Sequence, residues 1–148
     1  MRAVIQRVKE ASVEIDGAVK AKIGAGLLVL FCVETGDSTA DLDYMEKKLL
    51  GLRIFSDNDG KMNLSVTDIG GEILFVSQFT LAGDARKGMR PSYSGAARPE
   101  TAIPMYEEMI KRLSEHVKVA CGEFGADMLV SLQNDGPVTI LLDSRRTF

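Results

Sequence analysis

One histidine, no tryptophan and two cysteines leave this 148-residue chain short of the side chains on which most hydrolytic and metal chemistry rests. A Ser-His-Asp or Cys-His arrangement needs a histidine base, and only His116 is available. It falls near the end of a predicted helix, where favourable interaction with the helix dipole already accounts for it. Cys32 and Cys121 lie far apart, and two thiols with one imidazole cannot complete a four-ligand zinc site. A disulfide is disfavoured in a reducing compartment, and both cysteines sit in strand-like runs, so they read as small core hydrophobes. No metal or cofactor is expected. Apolar runs stay well short of the ~20 residues of a membrane span, and Met1–Arg7 lacks a signal-peptide core and passes directly into strand-like alternation. A cytoplasmic protein without membrane association is therefore expected. A broad basic surface is missing as well: net charge is −3, which disfavours an indiscriminate nucleic-acid binder. Any contact with RNA needs a local basic patch.

What is present fits one globular domain over residues 1–148, with 45% apolar and 26% charged residues. The 21 acidic residues gather in turns and helix starts, where capping and solvation explain them. Residues 2–8 and 11–16 alternate with period two and predict strands. Asp16-Gly17 is a two-residue hairpin signal, with a returning strand over 18–23. The continuous apolar run Leu27–Val33 predicts a strand buried on both faces. Ser38 or Thr39 caps a helix with Asp41 and Asp43 in its first turn, its apolar face formed by Leu42, Met45, Leu49 and Leu52. Residues 56–61 form a turn cluster. A strand over Ile73–Phe79 ends in Ser77-Gln78-Phe79-Thr80. A long irregular stretch follows, from about 82 to 97, and segments of that length are usually functional or disordered. Pro99 opens a second helix, buried through Ile103, Tyr106, Ile110 and Leu113. Strands are predicted at 117–122, 127–133 and 138–143, the last two joined through Asn134–Pro137. The result is an α+β class with two main helices on one side of largely antiparallel β layers.

Three segments carry candidate chemistry. Ser77-Gln78-Phe79-Thr80 reads plainly as a strand end turning into a loop. Read functionally, amides freed there form an oxyanion hole, with the Ser77 and Thr80 hydroxyls and the Gln78 amide positioning substrate or water. Gly136-Pro137 reads plainly as a hairpin turn. Its functional reading is a cis peptide whose two carbonyls point the same way and accept from an ammonium group, although cis is the minority form of X-Pro bonds. Arg86, Lys87 and Arg90, with Arg98 beyond them, read either as a solvated loop or as phosphate contacts to a nucleic acid. Arg145-Arg146 is either a further contribution or a frayed tail.

Along its whole length the sequence resembles the bacterial D-aminoacyl-tRNA deacylase family, also called D-tyrosyl-tRNA deacylases. Met1–Val8 is similar to the family's opening, and Asp59–Asn63 and Lys87–Ser92 to its loops. The two signature motifs, Ser77-Gln78-Phe79-Thr80-Leu81 and Asn134-Asp135-Gly136-Pro137-Val138-Thr139, are intact. Together, in order and at this spacing, they are highly specific. The resemblance implies a barrel-like α+β fold and hydrolysis of the ester joining a D-amino acid to the 3′ end of tRNA, with glycyl-tRNA, including glycine mischarged on alanine tRNA, also accepted. It implies a homodimer in which a cis Gly136-Pro137 enters the partner's active site as a chirality filter. Ser77, Gln78, Phe79 and Thr80 then form the catalytic segment; the tRNA's terminal 2′-hydroxyl and backbone groups are expected to help activate water, with Thr80 either positioning that water or acting as nucleophile. A different acyl hydrolase using Thr80 or a cysteine, a non-enzymatic RNA-binding module and a purely structural dimer compete with this reading. None of them accounts for both motifs.

Overall fold

A computed structural model describes residues 1–148. Eight strands and two helices follow one another: β1 (Arg2–Ile15), β2 (Ala18–Ile23), β3 (Gly26–Cys32), α1 (Thr39–Gly51), β4 (Phe55–Ser56), β5 (Met62–Leu64), β6 (Glu72–Ser77), a 3₁₀ turn (Phe79–Ala82), α2 (Pro99–Ser114), β7 (Lys118–Cys121) and β8 (Leu129–Asp143). The main sheet runs β2-β1-β3-β6-β7, with β8 paired to the other edge of β1. The α+β expectation stands. The sheet is mixed, however: β1 pairs antiparallel with β2, β3 and β8, whereas β3–β6 and β6–β7 are parallel.

The continuous apolar run explains the layering. Leu27, Val29 and Phe31 face one core, built against α1 and α2, while Leu28 faces a second core with Val8, Ala11, Val13, Leu74 and Val76. Strand β6 does the same, with Ile73 and Phe75 on the helical side and Leu74 and Val76 on the other. Both strands are therefore buried on both faces, which is why their sequences do not alternate. Gly26 permits the parallel contact with β6, since a Cβ there would stand 1.9 Å from the Glu72 carbonyl oxygen. In α1, Leu42, Met45 and Leu49 are buried, as the period of 3.6 predicts, and Leu52 falls just past the helix end. In α2 the buried stripe is Ala102, Tyr106, Met109 and Leu113. Ile103 and Ile110 are half-buried on its flank, so the stripe lies rotated from the expected one.

Two pairs of predicted strands are single strands. Residues 2–15 run on as β1 because Lys9 is an extra residue: Val8 faces Asn134 and Glu10 faces Gln133. This one-residue bulge flips the face, so Ala3 and Ile5 point to the helical core and Ala11 and Val13 to the second. Likewise β8 does not reverse at Gly136-Pro137. Both of its halves pair with β1, and between Thr139 opposite Gln6 and Asn134 opposite Val8 the surplus residues are looped out. The expected hairpin turn is thus a wide bulge in one strand. His116 lies two residues beyond α2, its Nε2 4.0 Å from Glu46 Oε1, consistent with a structural role.

Candidate active site

Ser77 is delivered by the C-terminal end of β6. The Gln78 N–H donates to the Phe31 carbonyl at 2.7 Å, extending the ladder with β3 by one bond. The chain then turns into the 3₁₀ segment, where the expected strand would have continued to Phe79. Of the amides at this strand end, that of Gln78 is thus committed to β3. The Phe79 and Thr80 amides open the turn, and leading amides of a helical turn have no acceptor within it. Gln78 Nε2 donates to Thr80 Oγ1 at 2.5 Å, so the two polar side chains of the segment are coupled. Ser77 and Gln78 are half-buried, and Phe79 and Thr80 are exposed.

Ser77, Gln78 and Phe79 form part of the wall of a cavity of about 290 Å³, closed by Cys32, Tyr106 and Phe124. Its character is largely apolar, suited to a ring system or side chain with a few polar anchors at one end. Tyr106 stacks on Phe75 with centroids 5.2 Å apart and donates its hydroxyl to the Phe75 carbonyl at 2.9 Å. Burial pushes the Tyr106 phenol up, so it serves as a packed wall and not as an acid or base. Burial, aided by Glu34, pushes the Cys32 thiol up to about 11. It stays protonated at neutral pH and is a poor nucleophile. No group of three or more His, Cys, Asp or Glu side chains is placed to hold a metal ion.

Gly136 and Pro137 do not line this cavity within the chain. They stand exposed in the bulge of β8, and their peptide bond is cis. Arg7 braces them from β1, a residue that sequence reasoning missed. Its Nε donates to the Asp135 carbonyl at 3.1 Å, its Nη2 to the Gly136 carbonyl at 3.4 Å, and its Nη1 to the Ile54 carbonyl at 2.6 Å. The Asp135 carboxylate pairs with the same guanidinium at 3.1 Å and with Lys9 at 3.3 Å. Arg7 is only 8% exposed. The available signal was an arginine at an inward position of an alternating strand, after Ala3 and Ile5. Asn134 also clamps the bulge: with its amide turned to satisfy both ends, Nδ2 reaches the Arg7 carbonyl at 3.1 Å and the Val138 carbonyl at 3.3 Å.

The basic segment lies in an exposed excursion closed by mutual backbone hydrogen bonds between Asp84 and Ser92, at 2.8 and 2.9 Å. Arg86 is forked onto Asp84, with Nε–Oδ1 at 2.9 Å and Nη2–Oδ2 at 2.7 Å. These hydrogen bonds hold the Asp84 carboxyl well below the usual range. Arg86 is therefore partly committed inside the loop, whereas Lys87 and Arg90 extend into solvent.

A profile of the family described as Tyr_Deacylase, D-Tyr-tRNA(Tyr) deacylase, matches residues 4–143. The chain belongs to this family. It is 57% identical to a D-aminoacyl-tRNA deacylase of Kosmotoga olearia over the full length of both chains. It is also 57% identical to one from Thermosipho africanus and 56% identical to one from Clostridioides difficile, again over the whole of each. Among solved structures, a protein described as c-Myc DNA Unwinding Element Binding Protein superposes with a TM-score of 0.92 at 41% identity, covering 97% of this chain and 98% of that one. A structure described as a probable eukaryotic D-amino acid tRNA deacylase, 17% identical with a TM-score of 0.77 over 95% and 97% of the chains, shares the fold.

Proposed function

We propose that the chain hydrolyses the ester of D-aminoacyl-tRNA through a backbone-built site, completed by the Gly136-Pro137 bulge of a second copy. The activity itself follows from membership in the family: this is a D-aminoacyl-tRNA deacylase. The single observation carrying the mechanism is the 3₁₀ turn after β6, whose leading amides at Phe79 and Thr80 adjoin a cavity sized for one end of the substrate. An aminoacyl ester is already activated, so oriented N–H donors to the developing oxyanion supply the main stabilisation. Thr80, held by Gln78 and without a base beside it, positions water; the tRNA's terminal 2′-hydroxyl assists in activating that water.

Chirality is read by rejection. The Gly136 and Pro137 carbonyls of the partner accept from the substrate α-ammonium and meet the side chain of an L-amino acid. Selection of this kind needs a stiff element, and the Arg7 brace supports one. Glycine has no side chain to reject, so glycyl-tRNA, including glycine mischarged on alanine tRNA, is accepted. Lys87, Arg90 and Arg86 contact the tRNA backbone. The protein works as a homodimer in the cytoplasm, where charged tRNA is found. The test is hydrolysis of D-tyrosyl-tRNA and L-tyrosyl-tRNA by the purified protein. The D form is expected to be cleaved and the L form spared; equal rates, or none, would overturn the reading.

A further inference from the structure

We propose that Arg2 is a positioning residue for the hydrolytic step, fixing the turn that presents the Phe79 and Thr80 amides. This inference rests on the reading of those amides as oxyanion donors. A four-residue 3₁₀ segment has few internal hydrogen bonds and poor hydrogen-bond geometry, so its orientation must come from outside. Arg2 Nη1 donates to the Leu81 carbonyl at 3.0 Å, one of the carbonyls that the end of a helical turn leaves without an internal donor. The guanidinium is itself held. Its Nε lies 3.3 Å from Glu34 Oε1 and 3.6 Å from Asp143 Oδ2, ion-pair distances without hydrogen-bond alignment.

Both carboxylates are buried, and their residues belong to separate segments. Glu34 forms a backbone bridge to Ala96, and its N–H donates to Asp37 Oδ2 at 2.6 Å. Asp143, at the end of β8, accepts from the Arg145 N–H at 2.8 Å and from the Thr147 hydroxyl. Three parts of the chain thus converge on one side chain that ends on Leu81. At the next residue but one the turn is packed against the loop: a Cβ on Gly83 would stand 2.9 Å from the Thr80 carbonyl oxygen and 3.1 Å from the Tyr93 ring. Arg2 and the Gly83 packing hold the trailing end of the turn, while the Gln78 N–H to the Phe31 carbonyl holds its leading end on β3. Small misplacement of reacting groups is costly, about 10²-fold for 1 Å.

The Arg2→Lys variant separates this role from plain stability. It keeps a positive charge for Glu34 and Asp143, but one ammonium cannot also take the place of the separate Nη1 donor to Leu81. We expect a folded protein whose kcat on D-tyrosyl-tRNA falls roughly tenfold, less than the ~10²–10³ of deleting an oxyanion donor. KM is expected to stay within about twofold, as for an interaction made in the transition state. Binding of tRNA carrying D-tyrosine through a non-hydrolysable amide should be unchanged. A kcat within about twofold of the unaltered chain, or a loss confined to KM, would overturn the proposal. If Arg2→Lys melts below the assay temperature, Glu34→Gln carries the test, because it loosens the guanidinium and leaves Arg2 in place. There, a kcat drop of about threefold with unchanged binding of the amide supports the proposal, and an unchanged kcat overturns it. Should the unaltered chain fail to cleave D-tyrosyl-tRNA, the functional reading falls; should it be active and both variants match it, only the role of Arg2 falls.

Discussion

Thr80 is exposed, accepts a hydrogen bond from the Gln78 amide and is bonded to no imidazole or carboxylate. A hydroxyl in that setting lacks the adjacent base that activates a nucleophile. Thr80→Ala is therefore expected to lower kcat by no more than about tenfold, against the ~10⁶ of removing a true nucleophile. Single-turnover hydrolysis of D-tyrosyl-tRNA measures this, and near-complete loss would make Thr80 the nucleophile. Cys32 belongs to the same scale: its thiol, pushed up to about 11 by burial, is a wall of the cavity and not a reagent. The two cysteines were legible as core material from the apolar runs around them, and Cys32 is indeed buried, although Cys121 is only half so. Arg7 left only the trace of an inward-facing position, and Arg2 none; the partners of both were not legible. Each acts by donating to backbone carbonyls brought from Gly136, Ile54 or Leu81, and a carbonyl leaves no trace in a residue pattern.

In the proposed mechanism, selectivity is set by an element. The bulge in β8 exists because one strand, β1, pairs with residues on both sides of Gly136-Pro137 while matching too few of them. Arg7 reaches into that slack and ties Asp135 and Gly136 to β1. An Arg7→Met variant is expected to keep the fold at reduced stability and to loosen the bulge. Its D-over-L discrimination should fall by roughly tenfold, chiefly through faster cleavage of L-tyrosyl-tRNA, since rejection depends on a rigid obstacle. Comparative hydrolysis of both substrates checks this; undiminished discrimination would remove Arg7 from the filter. Helix positions were readable in advance from Ser38, Pro99 and the apolar period, as were the hairpin at Asp16-Gly17 and the doubly buried β3. The single strands β1 and β8 were not, because a bulge preserves the local alternation on each side and betrays itself only through the partner strand.

At the scale of the molecule, the Ser77–Thr80 cavity and the Gly136-Pro137 bulge do not share a wall within one chain. Strand β8 pairs only with β1 and leaves Leu129, Leu132 and Leu141 exposed, an apolar edge of the kind that proteins cover. Light scattering is expected to give twice the chain mass, with activity lost on dilution to monomer; a fully active monomer would overturn the shared site. Acid should also weaken the fold. Burial opposes ionisation of Asp41, but hydrogen bonds from Ser144 and Ser38 overcome it and hold its carboxyl below the usual range. Asp143 is lowered likewise, with Thr147 and Arg145 outweighing burial. Groups with lowered folded values stabilise above the unfolded value of about 4 and lose that contribution as pH falls toward the folded one. Urea midpoints should therefore be level near neutrality and drop below about pH 4, less steeply in Asp41→Asn; a level profile down to pH 3 would refute this. The sequence by itself determined the α+β class, the two helices, the doubly buried β3 and the two motifs, because periodicity and turn chemistry are local. Only the tertiary structure decided that Gly136-Pro137 projects from a strand, that Gln78 is committed to β3, and that Arg7 and Arg2 buttress the two motifs. Those outcomes depend on register against β1 and β3, a property of paired strands that neither strand carries alone.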